Sequence, residues 1–146
     1  METVVAEPVL ETLQEELTSL HQLVAGLVSR TIPRTVRNRS FFVNDVPAIL
    51  PLFTNPELVS TVLSGLITIM ATQASNTCIR ISARENNKII TLELSDQHNG
   101  NMYTVANSLQ PLQPLAGKIG GYLGICCQKK NSTTIIFSFL NSPVHK

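Results

Sequence analysis

The sequence predicts an α+β fold, a two-layer α/β sandwich with helices on one face of a mixed sheet and a helical arm in front. Three observations predict it. Residues 9–30 carry a heptad of aliphatic side chains. Residues 55–74 carry a wider apolar helical stripe, followed at once by two strands of period two. A proline-bounded helix and an alternating hairpin close the chain. This order divides it into a helical arm with a basic linker, residues 1–39, and the sandwich, residues 40–146.

In the arm, Pro8 suits a first helical position, and Glu11, Glu15 and Glu16 lie towards the favourable N-terminal end. Leu10, Leu13, Leu17, Leu20, Val24 and Leu27 recur at spacings of 3, 4, 3, 4 and 3, a seam that Leu23 and Val28 broaden. A helix cannot leave such a stripe in water. The expected outcome is self-association into a homodimer through these six residues; the alternative is packing onto the chain's own domain. Pro33 is expected to end the helix, and residues 30–40 (RTIPRTVRNRS) to form a basic linker. Its arginines, Arg30, Arg34, Arg37 and Arg39, suit a phosphate or, more plainly, a solvated face.

A strand is expected over residues 40–43 and a second short one over 50–53. Thr54 and Glu57 have capping-box spacing, with Pro56 in the first turn of the next helix. Along that helix Leu58, Val62 and Leu66 form one stripe, and Val59, Leu63, Ile67 and Met70 another. Together they make the broad face of a helix lying across a sheet. Ile79, Ile81 and Ala83 then alternate with polar residues, the turn ENNK follows, and Ile90, Leu92 and Leu94 alternate on the return. After the turn at residues 96–100 a connection is expected, then a helix within residues 108–119 that Gly120 stops. Residues 122–129 and 133–140 form the last hairpin.

Composition narrows the function. No apolar run approaches the length of a membrane span, and METVVAEP lacks a signal peptide's basic start, so a cytoplasmic protein is expected. A net charge of +1 argues against a nucleic-acid binder. Charged residues are 14%, against about a quarter in ordinary globular chains, so a partner chain or neighbouring domain is expected to cover some surface. Cys78, Cys126 and Cys127 have no metal-ligand spacing, and adjacent strand positions face opposite ways. They are expected to be buried thiols, with no metal site.

Three stretches resemble the ATP-binding domain of sensor histidine kinases, within the GHKL superfamily. NPELVSTVLSGLITIMATQAS resembles the helix that the family writes D-x-x-x-L-x-x-V-L-x-N-L-L-x-N-A. LELSDQHNG resembles the strand ending in D-x-G-x-G. KIGGYLGICCQKKNSTTIIFSFL resembles the ending L-H-G-G-x-I followed by a hairpin closing in G-T-x-F-x-F. The resemblance covers roughly residues 41–140 and implies the Bergerat-type sandwich and a place in bacterial two-component signalling.

The departures set the functional expectation. The two nucleotide-facing asparagines of the family fall at Gly65 and Ile69, and an isoleucine offers no oxygen to Mg²⁺. Asp96 stands where the family receives the adenine amino group and Gly100 matches the second glycine, but His98 replaces the first. The family's glycine-rich lid is replaced by YTVANSLQPLQPLAGK. The residual pocket is expected to hold Gly65, Ile69, Asp96, His98, Gly100 and Thr134, with no catalytic residue and no cofactor. The expected function is a non-catalytic pseudokinase module that acts through dimerisation and other signalling proteins. The alternative is a working kinase domain that binds ATP and Mg²⁺ at an atypical site. His21, in the arm, lacks the acidic neighbour that follows the family's phosphoacceptor.

Overall fold

The hairpin at the centre of the sheet follows from its alternation. In β2 (Cys78–Asn86) and β3 (Ile89–Asp96), Ile79, Ile81, Ile90, Leu92 and Leu94 all fall on one face and are fully buried. Asn86 pairs with Ile89, so the connection is two residues long. Asn87 and Lys88 both have positive φ, 52° and 66°, which is the turn that matches the twist of a tight hairpin. The computed structural model describes residues 18–97, 102–126 and 132–143. Among them β1 (Phe41–Asp45), β4 (Tyr122–Cys126) and β5 (Thr133–Leu140) complete a five-stranded sheet in the order β1-β2-β3-β5-β4. Only β1 and β2 run parallel, so the sheet is mixed. Helices pack on the face that carries Leu92 and Phe137, as predicted.

The long helix of this layer is α3 (Pro56–Gln73), reached after α1 (Leu20–Ser29) and α2 (Ile32–Arg37). Val59, Val62, Leu63, Leu66, Ile67 and Met70 are buried along it. Its cap is Asn55, whose side-chain oxygen accepts from the amides of Glu57 and Leu58 at 2.9 and 3.3 Å; the expected Thr54 is buried instead. The second strand expected over residues 50–53 is reduced to one bridge, between Pro51 and Ser19. Proline has no amide to extend it.

The arm differs most from expectation. Ser19 is extended (φ −79°, ψ 135°) and caps the first turn by accepting from the Gln22 amide, so a continuous helix over residues 9–30 is not formed. Leu10, Leu13 and Leu17 lie outside the described residues. Leu20 and Val24 are fully buried and Leu27 nearly so, in the same core as the sheet residues. The described half of the heptad is thus spent inside the chain, and residues 18–39 are not a separate arm. The basic linker is also helical: Pro33 lies in the first turn of α2 rather than ending α1.

The helix expected within residues 108–119 begins earlier and is jointed. It comprises α4 (Met102–Leu109), a 3₁₀ turn (Gln110–Leu112) and α5 (Gln113–Gly117). Pro111 and Pro114 each lack the amide a continuous helix would use. Gly120 is left-handed at φ 66°, as its place after the helix predicts. Cys78 and Cys126 are free and half-buried; Cys127 lies outside the described residues.

Asn141 ties the far end of the sheet to the segment before α3. It is buried, its carbonyl oxygen accepts from the Phe53 amide at 2.7 Å, and its amide donates to Pro51 O and Glu85 Oε2, both at 2.9 Å. Asn141→Leu is expected to cost about 2 kcal/mol, from three lost bonds of which one is to a carboxylate. Urea denaturation checks it.

Candidate functional site

Of the six predicted pocket residues, four are described. Asp96 ends β3 on the same face as Leu94 and is fully buried. A carboxylate there needs a donor, and Thr77 Oγ1 donates to Asp96 Oδ1 at 2.8 Å. Sequence reading missed Thr77. The hairpin register contains the signal: Ile79 pairs with Asp96, and Thr77 lies two residues back on the same face.

Gly65 and Ile69 sit one turn apart on α3, which lies against β3. The space above Gly65 is taken by Leu112 of the 3₁₀ turn. A Cβ at position 65 would come within 2.7 Å of Leu112 Cδ1 and 3.0 Å of Cδ2. Any side chain there, asparagine included, requires Leu112 to move. Ile69 is half-buried and packs on the core. Leu112 and Ile69 give this part of α3 a hydrocarbon lining, without the oxygens a hard cation requires. No group of three His, Cys, Asp or Glu side chains able to hold a metal occurs among the described residues.

Thr134 belongs elsewhere. It pairs with Ser95, and their hydroxyls lie 3.0 Å apart. Ser95 and Asp96 are successive strand residues, so Thr134 is on the sheet face opposite Asp96; the residue in register with Asp96 is Thr133. His98 and Gly100 lie outside the described residues.

The stretch in place of the lid is folded down. Val105, Leu109 and Ala116 enter the core, fixing α4 and α5 against α3. Gln113 then holds the edge strand β4 with both ends of its amide. Its Nε2 donates to Leu123 O at 2.7 Å, and its Oε1 accepts from Leu123 N at 3.2 Å. These two bonds satisfy backbone groups that an edge strand otherwise leaves open.

His21 has a structural task. Its Nδ1 lies 2.9 Å from Val46 O, a bond in which the ring nitrogen donates, and Asn44 Nδ2 donates to His21 O at 3.1 Å. Both bonds fix α1 to the end of β1.

No family model matches the chain, and no curated protein sequence matches it significantly. Solved structures do. Histidine kinase AdeS of Acinetobacter baumannii superposes with a TM-score of 0.74 at 13% identity, over 86% of this chain and 66% of that one. The catalytic domain of histidine kinase ThkA gives 0.73 at 13% identity, over 87% of this chain and 97% of that one. ThkA in complex with the response regulator protein TrrA gives 0.72 at 12% identity, over 97% of this chain and 48% of that one. Thus the chain spans nearly the whole of the ThkA catalytic domain but less than two thirds of the AdeS chain. Among the described residues no helix is long and apolar enough to cross a membrane. The chain has the α+β fold of histidine kinase catalytic domains.

Proposed function

We propose that this chain is a cytoplasmic, non-catalytic signal-transduction module: a histidine-kinase-like domain that acts by protein interaction, without ATP or Mg²⁺. The observation that carries this reading is Leu112 seated on Gly65, with Ile69 one turn further along α3. By the resemblance, those two helix positions hold the nucleotide-facing asparagines. Hydrocarbon at both, Leu112 on Gly65 and the side chain of Ile69 itself, disfavours a magnesium-bridged triphosphate, because an ion stripped of water needs replacement oxygens. The partners proposed are other signalling proteins, of the kind that TrrA represents for ThkA, and a second copy of this chain. With Leu20, Val24 and Leu27 buried at home, a homodimer contact would rest on Leu10, Leu13 and Leu17.

The buried Asp96, kept in place by Thr77, is the one feature that favours the alternative of a nucleotide-binding kinase domain. A melting series with ATP and ADP, each with and without Mg²⁺, separates them. A working site at 100 times its dissociation constant would add about 2.7 kcal/mol. The expected result is no stabilisation that depends on Asp96. A nucleotide shift that vanishes in Asp96→Ala would overturn the proposal.

A further inference from the structure

On another side of α3, three arginines line a groove that is floored in part by the core residue Leu27 and is separate from the residual pocket. Arg30 caps the end of α1, and Arg34 and Arg37 occupy the last turn of α2. With Ser64 and Thr68 of α3 they line a hollow of about 280 Å³. A second hollow of about 420 Å³, lined by Arg34, Arg37, Asn38 and Thr72, shares two of those arginines and continues it. Gly65, Ile69, Asp96 and Leu112 line neither.

One guanidinium is already oriented. Arg34 Nη1 donates to Thr72 Oγ1 at 2.9 Å, and Thr72 Oγ1 donates in turn to Thr68 O at 2.8 Å. Ser64 and Thr68 line the same hollow. The positive charge is not neutralised by the described residues. Among them, the carboxylates are committed elsewhere: Asp45 pairs with Arg80, Glu93 with Arg84, Glu85 accepts from Asn141, and Asp96 is buried against Thr77. Glu57 is in the first turn of α3, at the opposite end from Thr72. Arg34 and Arg37, three residues apart on α2, repel as like charges, and an anion between them removes that cost.

The chemistry selects the ligand. Guanidinium forks match phosphoryl oxygens in pairs and stay charged at every working pH. A first hollow of about 280 Å³ is just below the roughly 300–1,000 Å³ of ordinary ligand pockets, which favours a compact polyanion. We propose that the α2–α3 groove binds a small phosphorylated molecule carrying at least two phosphoryl groups, held by Arg30, Arg34 and Arg37.

The test titrates the full chain with inorganic pyrophosphate and tripolyphosphate, against sodium chloride at matched ionic strength. Saturable binding with a raised melting temperature is expected for the polyphosphates and not for chloride. Arg34→Gln and Arg37→Gln should each weaken it about tenfold, the loss of one charge-assisted contact. Arg80→Gln, whose guanidinium is paired with Asp45, should leave it unchanged. Vesicles of phosphatidylcholine with and without a bisphosphorylated inositol lipid distinguish the source. Binding to the lipid assigns a headgroup, and binding to free polyphosphate alone assigns a soluble metabolite. Absence of saturable binding, or equal loss in Arg80→Gln, overturns the proposal. ATP also carries a triphosphate, so its effects are assigned by variant: a shift lost in Arg34→Gln and kept in Asp96→Ala belongs to the groove.

Discussion

Gly121→Ala should destabilise the fold by about 3 kcal/mol, roughly three times the cost of the same change at its neighbour Gly120. The two glycines are adjacent but are required for different reasons. Gly120 is left-handed at φ 66°, and a Cβ there would meet only Leu140 Cβ at an ordinary 3.7 Å. Its alanine variant bears a backbone preference alone, about 1 kcal/mol. A Cβ on Gly121 would collide with the carbonyl oxygen of Ser138 and lie 2.9 Å from Phe139 Cβ and 3.1 Å from its Cα. Gly121 cannot slide away, because its amide donates to Ala116 O at 2.9 Å and β4 begins at the next residue. The obstacle is backbone, so no rotamer change relieves it, and β4 must separate from β5 at that end. Urea denaturation followed by far-ultraviolet circular dichroism is the suitable measurement, since the chain contains no tryptophan. A Gly121→Ala variant as stable as Gly120→Ala would show that the strands part without cost.

Those glycines illustrate what was legible. The stop at Gly120 could be read from position, because a glycine after a helix has one common use. The close approach at Gly121 could not, since nothing local says which strand passes beside it. The same division holds along the chain. The alternation of residues 79–94 determines which face is buried, and ENNK marks the turn. The burial of Leu20, Val24 and Leu27 within the chain's own core was not legible, because heptad spacing reports an apolar stripe and is silent on what covers it. Ser19, a strong capping residue inside that stripe, was the local clue that the helix restarts there. Likewise Asn55 stood beside Thr54 as a rival cap.

The site was legible as chemistry and not as geometry. Substitution of hydrocarbon for amide oxygen at positions 65 and 69 is visible in the sequence, and Asp96 at a strand end is too. The plug is not, because Leu112 lies 47 residues from Gly65 and reaches it only through the jointed course of α4, the 3₁₀ turn and α5. Thr134 shows the cost of a one-residue slip in strand register. Its neighbour Thr133 is the residue opposite Asp96.

Leu20→Ala should lower stability by about 3 kcal/mol while leaving the molecular mass in solution unchanged. The side chain has no exposed surface, so truncation removes contacts within the chain and opens a cavity beneath α1. The backbone around it is tied down: Leu20 N donates to Leu50 O at 3.0 Å, and Leu52 N to Thr18 O at 2.9 Å. These bonds hold the segment in place, so the cavity cannot close by moving the helix inward, and the cost stays near the full value for a buried leucine. The urea midpoint should fall by roughly 1–2 M. Leu13→Glu provides the complementary arm: under the proposed dimer contact it should reduce the mass seen by light scattering. Loss of mass with unchanged stability in Leu20→Ala would mean that the seam joins two chains rather than closing one core. Loss of stability at constant mass assigns Leu20 to the domain and leaves any association to residues nearer the N-terminus.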